Sequence, residues 1–417
     1  MSLSNLSEEE NNKKKSPILI STITGKQFPF NYIPESTEEG ESLEVSIQGI
    51  QDAKIKKGDH IWQRFSDFSP FSRVEERLHL GEDNTALVKV DQRLQEFTGI
   101  RNLLLKNETQ NPTWSFKDRG SLTTLYMAKQ MDEKFTATIS SGNMGHSIAA
   151  YGAKAGVKVI VFVPEFAPDE KIKPMLLHGA HVIKVKADDY SLMKKEILHL
   201  AERLHLRIVS GNGPIRVEGY KLTSFEMFEQ LKYEVPDYIA VPTSACGHVR
   251  GIFKGYRELY QAGIIKKLPK MIIVQAENNS PIVTAIKQGR DQIVPFTNFH
   301  TIAEAITSGN PTGGEEIIYK AKKYGWLAES VSEEEILLSQ QKFAETGYFV
   351  EPASATVLYA VKKLAKSKKI EENAQVILII TGSGLKDLSV LSHYNYDFLK
   401  SDLKHIETDV QKILLES

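Results

Sequence analysis

Asn111-Pro112-Thr113-Trp114-Ser115-Phe116-Lys117-Asp118-Arg119-Gly120 sets one lysine between turn-forming residues and the start of a helix. Asn-Pro-Thr makes the turn, and Ser115 stands where a helix cap is expected. A lysine that forms an imine must be held by rigid flanking backbone at the mouth of a cleft, where its surroundings can lower its pKa. Alone, Ser-Phe-Lys-Asp is more commonly a surface lysine at a helix start. Other segments decide between the two.

Three of them follow in order. Ser140-Ser141-Gly142-Asn143-Met144-Gly145-His146-Ser147 comes after an apolar run and opens a helix, so its hydroxyls and backbone N–H groups converge at a positive helix end. Val241-Pro242-Thr243-Ser244-Ala245-Cys246-Gly247-His248 repeats the arrangement ahead of a helix expected to begin near Val249. Ile379-Ile380-Thr381-Gly382-Ser383-Gly384-Leu385-Lys386-Asp387 ends a buried-looking strand with a hydroxyl and two glycines. Each loop alone reads as an ordinary strand-to-helix turn. The ordered set points to an anion- and cofactor-binding cleft.

From Leu80 to Asp387 the chain resembles the threonine synthases, within the fold-type-II pyridoxal-phosphate enzymes that also include threonine dehydratase and cysteine synthase. The likeness rests on Leu80-Gly81-Glu82-Asp83-Asn84-Thr85, the lysine segment, Ser-Ser-Gly-Asn and Pro214-Ile215-Arg216-Val217-Glu218-Gly219-Tyr220-Lys221. Glu351-Pro352-Ala353-Ser354-Ala355 and the closing Thr-Gly-x-Gly-Leu-Lys-Asp complete it. The resemblance implies pyridoxal 5'-phosphate as cofactor, with Lys117 as its Schiff-base and proton-carrying lysine. It gives Asn143 the cofactor's phenolic oxygen, and Thr381 the pyridine nitrogen, which a neutral hydroxyl would leave less fully protonated than an aspartate. The loop Thr243, Ser244, Ala245, Cys246, Gly247 and His248 would bind the cofactor phosphate. Ser140, Ser141, Ser147 and Arg216 would bind substrate, Arg216 through a phosphate in the bidentate manner of guanidinium. The residues' own reading leaves Arg216 open to pairing with Glu218 instead.

Departures from the family pattern set further expectations. Threonine synthases usually read Gly-Asn-Gly-Gly-Asn where this chain has Ser244-Ala245-Cys246-Gly247-His248. Two glycines have gained side chains in a cradle that often requires positive φ. Trp114 replaces a glycine, His146 stands where alanine is frequent, and Tyr220 replaces glutamine, so large side chains are expected to narrow the substrate pocket. Cys246, the only cysteine, reads as inert packing.

The implied reaction is conversion of O-phosphohomoserine and water to threonine and phosphate. The runners-up are a threonine or serine dehydratase, a β-replacement enzyme, and a non-catalytic paralogue of the same fold. The 417 residues, 41% hydrophobic with a formal net charge of -1, permit more than one domain and give no reason to expect nucleic acid or a membrane surface as partner. A single cysteine and no secretory pattern fit the cytosol, and the region around Ile18–Lys26 lacks the cysteines of a zinc ribbon, so no metal is expected. The family implies a homodimer.

The expected fold is α/β, with two open, mostly parallel, doubly wound domains of the tryptophan-synthase-β kind and the cofactor in the cleft between them. Residues 1–16 are expected to be a disordered tail and 17–75 a small β element with strands in Pro17–Thr24 and Leu43–Ile50. Phe135–Ile139, Val157–Val163 and His181–Val185 read as strands of a smaller, mobile domain over 118–213. Tyr238–Val241, Met271–Val274 and Val376–Ile380, with helices over Gly251–Gln261 and Ala353–Leu364, belong to a larger domain made of 76–117 and 214–387. Residues 388–417 form an extension, helical around Asp402–Leu415.

Overall fold

In the near-continuous apolar runs at 239–241, 271–274 and 376–380, every residue is fully buried, as strands covered on both faces require. The computed structural model describes residues 17–30, 34–71, 76–187, 190–297, 300–395 and 398–416. The tail expected over 1–16 lies outside the described residues.

Strands β1 (Ile18–Ser21), β2 (Gln27–Pro29) and β3 (Leu43–Ser46) make an antiparallel sheet in the order β2-β1-β3. Strands β4 (Leu87–Lys89) and β5 (Asn102–Asn107) precede β6 (Phe135–Ile139), β7 (Lys158–Pro164) and β8 (His181–Val185), and the last three form a parallel sheet in sequence order. Strands β9 (Tyr238–Pro242), β10 (Lys270–Ala276), β11 (Leu327–Val331) and β12 (Gln375–Ile380) join β4 and β5 in a six-stranded sheet ordered β11-β10-β9-β12-β5-β4. Only the β4–β5 pair in it is antiparallel.

The alternation of a strand sends Ile239, Met271, Ile273, Ile377 and Ile379 to one face, against the helices Leu222–Gln230 and Gly247–Gln261. Ala240, Ile272, Val274, Val376, Leu378 and Ile380 go to the other, under the helix Pro352–Lys366. A third cluster joins Leu19, Leu43 and Val45 of the antiparallel sheet to Leu122, Leu125, Ile148 and Tyr151 and to Val159 and Val161 of β7.

Strands β4, β5 and β11 were not expected from sequence. β5 carries Lys106 one residue from its end, where it breaks the apolar pattern, yet its ammonium is buried against Glu226 at 2.7 Å. Glu226 also holds Arg119 at 2.6 Å, and Arg119 in turn holds Glu108 at 2.5 Å. Against the cost of burial, Arg119 and Lys106 pull the Glu226 carboxyl down to about 2. This buried ion group ties the lysine helix Lys117–Gln130 to β5 and to the helix Leu222–Gln230.

Residues 387–417 form a compact unit of their own, containing the helix Ile406–Glu416, four residues later in starting than the expected pattern at Asp402. Among the described residues no helix is long and apolar enough to cross a membrane.

Candidate active site

Two of the four sequence segments, the lysine segment and the closing loop, meet through backbone hydrogen bonds. Thr381 O accepts from Phe116 N at 3.0 Å, Trp114 O accepts from Ser383 N at 3.1 Å, and Ser115 bridges Gly382 in antiparallel fashion. On the other side of that loop Glu351 N donates to Gly382 O at 3.0 Å, and Gly384 N donates to Phe349 O at 3.0 Å. The lysine segment therefore docks as an edge on the closing loop, which fixes where Lys117 begins its helix.

Ser115 is not the helix cap expected from sequence. The helix starts at Lys117, and Phe116 is the capping position. Ser115 is consumed by its bridge to Gly382, and its buried hydroxyl has no partner among the described residues. Asp118 does the local fastening instead: its carboxylate accepts from Thr113 N at 2.6 Å and from Thr113 Oγ1 at 2.5 Å. An acid in the first helical turn also suits the helix dipole. The helix after the second Gly/Ser loop starts at Gly247 rather than Val249.

A cleft enclosing about 450 Å3, part of it open to solvent, is lined by Phe116, Lys117, Asn143, Gly211, Pro242, the loop Thr243 to Val249, Ala305, Ile306, Glu351 and Thr381. It gathers Lys117, Asn143, Thr243, Ser244, Ala245, Cys246, Gly247, His248 and Thr381, every residue to which a cofactor role was given. Lys117 Nζ makes no hydrogen bond or ion pair among the described residues; it lies 4.3 Å from the centroid of the Phe116 ring. Desolvation, helped by the positive charge of Arg216, brings its pKa down to about 7, with Glu351 opposing. An amine so poised is neutral in useful amount near pH 7, which imine formation requires.

The loop 243–248 precedes a 15-residue helix whose first N–H groups have no intrahelical acceptor. Cys246 sits at φ 75°, the left-handed conformation that glycine usually supplies, so a cysteine holds here a backbone position suited to glycine. Its thiol is pushed up by burial, and Sγ contacts Ser244 O at 3.3 Å, in keeping with packing rather than reactivity. Ser244 Oγ accepts from Ser308 N at 3.1 Å, whereas the Thr243 hydroxyl donates back to Val241 O at 2.9 Å. His248 is buried with neither ring nitrogen partnered among the described residues, stacked 3.8 Å from Phe116. Burial and the charge of Lys117 hold it far below the usual histidine range, so it is a neutral ring.

The residues given substrate roles are placed differently. Ser140 and Ser141 are half-buried at the start of the helix Asn143–Ala155, but none of Ser140, Ser141, Ser147 and Arg216 lines the cleft. Ser147 is buried and donates to Ser121 Oγ at 2.7 Å. Arg216 is also buried: its guanidinium donates to Tyr220 OH at 2.9 Å, Ser121 Oγ at 3.4 Å and Lys117 O at 3.1 Å. The pairing of Arg216 with Glu218 does not occur, because Glu218 is taken by Lys221 and Lys254.

Trp114, His146 and Tyr220 do not narrow the cleft, since none of them lines it. Trp114 points outward, 49% exposed, from a residue with φ 62°. Tyr220 packs over Gly120, where an added Cβ would come within 2.7 Å of its ring. His146 meets the amine of Lys386 at 3.0 Å through Nδ1. Sequence reasoning gave no role to two lining residues that matter. Gly211 presents a bare face on which a Cβ would lie 3.3 Å from Ala245 Cβ and 4.0 Å from Lys117 Nζ. Glu351 bridges Asn143 and Thr381, with Asn143 Nδ2 donating to Oε2 at 2.8 Å and Thr381 Oγ1 to Oε1 at 2.9 Å.

These residues fit pyridoxal phosphate: an unpartnered amine, a glycine face and a helix start open onto one space. The comparisons agree. Residues 78–382 match the family described as pyridoxal-phosphate dependent enzyme. The chain is 35% identical over 374 residues to a threonine synthase of Methanocaldococcus jannaschii, covering 87% of this chain and 91% of that one. It is 38% identical over 330 residues to a threonine synthase of Methanosarcina acetivorans, covering 78% and 80%. Among solved structures, threonine deaminase isoform 2 of Solanum lycopersicum superposes with a TM-score of 0.64 at 19% identity, covering 74% of this chain and 86% of that one. The serine racemase of Dictyostelium discoideum does so with a TM-score of 0.61 at 23% identity, covering 78% and 96%. These two likenesses speak for the fold. The chain belongs to the pyridoxal-phosphate dependent enzymes, with the α/β architecture of fold type II.

Proposed function

We propose that this chain converts O-phospho-L-homoserine and water to L-threonine and phosphate. The observation that carries the reading is the Lys117 amine, without a hydrogen bond or ion pair among the described residues, in the cleft of a chain similar over most of its length to threonine synthases. Pyridoxal phosphate, when bound, supplies an electron sink for carbanions beside the substrate nitrogen. Lys117 would hold it, and once freed would take the proton from the substrate Cα, then one from Cβ as phosphate leaves Cγ, and would give protons back to Cγ and Cα. Water adds at Cβ. Asn143 offers an amide N–H to the phenolic oxygen, and the helix start at Gly247 offers N–H groups to the cofactor phosphate.

Ser140 and Ser141, at the start of the helix Asn143–Ala155, are suited to the substrate carboxylate. We assign Ser147 and Arg216 to the substrate phosphate only after closure of the 118–213 region on the larger domain, because both now face inward. The same observation supports the second reading, a threonine or serine dehydratase: Lys117 is the one cation among the lining residues, which suits a substrate without phosphate. A homodimer and a cytosolic site go with the first reading, and sedimentation tests the dimer.

Purified protein with pyridoxal phosphate and O-phosphohomoserine should release phosphate and threonine in equal amounts. Ketoacid release from threonine with no phosphate released from phosphohomoserine would replace the first reading by the second.

A further inference from the structure

Glu351 occupies the capping position before Pro352, with extended backbone, and its side chain turns into the cleft. It is 5% exposed. Its two oxygens accept from Asn143 and Thr381, residues to which the family reading gives the cofactor's phenolic oxygen and ring nitrogen. One helical turn on, Ser354 Oγ accepts from Thr381 N at 2.9 Å and from Gly382 N at 3.0 Å.

Counting protons on this group leaves little freedom. A hydroxyl has one proton and two acceptor sites. Ser354 has both acceptor sites filled by backbone N–H groups, so it must donate, and Thr381 Oγ1 at 2.7 Å is nearer than Gly382 O at 3.3 Å or Glu351 Oε1 at 3.5 Å. Thr381 then receives one proton from Ser354 and sends its own to Glu351 Oε1. What remains to face the cleft is an acceptor site. If Glu351 carried a proton on Oε1, the direction would reverse: Thr381 would have both acceptor sites filled and would present a donor.

We propose that Glu351 is a positioning residue that sets, through Thr381, the hydrogen-bonding sense offered to the cofactor's ring nitrogen, and that as a carboxylate it holds that nitrogen protonated. The inference rests on the family reading that Thr381 faces the nitrogen, and it reverses the expectation that a neutral hydroxyl leaves it poorly protonated. The same carboxylate orients the Asn143 amide, taking one N–H and leaving the other for the phenolic oxygen. Burial raises the Glu351 carboxyl, while the bonds from Asn143 and Thr381 and the charges of Lys386 and Lys117 oppose that rise. A protonated ring would make the cofactor a stronger electron sink.

The test is the nitrogen NMR signal of holoprotein reconstituted with pyridoxal phosphate labelled at the ring nitrogen. The wild type should resonate at the pyridinium position. Glu351→Gln must keep its carbonyl toward Asn143, so its amide N–H donates to Thr381, and the signal should move to the free-pyridine position. Thr381→Val removes the acceptor while keeping the shape, and should move it likewise. A free-pyridine signal in the wild type overturns the proposal whatever the variants do. A pyridinium signal that persists in either variant with cofactor bound also overturns it. The signal reports ring protonation without any substrate, so failure here is distinct from failure to turn over phosphohomoserine.

Discussion

Two buried polar regions of this molecule differ in one respect, and that difference separates holding from reacting. Behind the cofactor loop, Glu218 meets Lys221 at 2.5 Å and also Lys254, and Glu258 meets the same two lysines at 3.0 and 2.7 Å. Glu316 meets Arg250 at 2.6 Å and also Lys320, and Glu44 pairs with Arg257. Despite burial, Glu218 and Glu258 push Lys254 up, so its charge is kept more firmly than in water. In the cleft, Lys117 has no carboxylate in contact, and desolvation pushes it the other way, to about 7. Low dielectric strengthens a pair and neutralises a lone charge. The first effect locks helices 214–220 and 247–261 together, and the second suits the Lys117 amine to the nucleophilic role proposed for it.

The largest expected effect breaks the reacting side. Lys117→Ala should lower turnover of O-phosphohomoserine by about 10^3-fold or more, since imine formation and proton transfer both depend on it. Unchanged turnover would remove Lys117 from the chemistry.

Breaking the holding side should cost folding instead. Glu218→Ala strands two buried ammonium groups, and about 3–5 kcal/mol of stability should be lost, read from urea unfolding. A loss below about 1 kcal/mol would mean that the network contributes no more than exposed pairs do.

A pH series sharpens the contrast. The unfolded chain binds a proton on Lys117 up to an ordinary value of about 10.4, whereas the folded protein releases it near 7. Between those values the unfolded state carries more protons, so this lysine makes stability rise with pH across that window. Lys117→Met lacks the contribution. Measured without cofactor, the stability of the variant relative to wild type should be greatest near pH 7 and should fall as pH approaches 10. A flat difference would show that the amine is not depressed.

The smallest effect concerns the backbone beside the lysine. Trp114 holds φ 62° with its side chain half in solvent, so Trp114→Gly should gain about 0.5–1 kcal/mol, less strain offset by a more flexible unfolded chain. Thermal unfolding would register it, and a loss would show that the indole packs usefully.

Much of the scaffold was legible because burial on both faces writes itself as uninterrupted apolar sequence: Met271–Val274 and Val376–Ile380 fall within β10 and β12. β5 and β11 were not, since Lys106 and Glu329 interrupt them, and their partners, Glu226 and Lys287, come from distant segments. The cleft's cofactor loops could be read from Gly, Ser and Thr following strands. The inward turn of Ser147 and Arg216 could not, because it depends on Ser121 and Tyr220 meeting them in space. Glu351 stood in a recognisable segment, but its meaning lies in a contact with Asn143 across 208 positions of chain.

Gly313 lies against the cofactor loop, where a Cβ added to it would come within 2.6 Å of the Cβ of Cys246. The two positions therefore cannot vary independently. A side chain at 246 is admissible only while 313 remains bare. Glycine at 246 would relieve that contact, yet the Asn212 side chain, 3.0 Å from the same point, would still limit what could enter at 313.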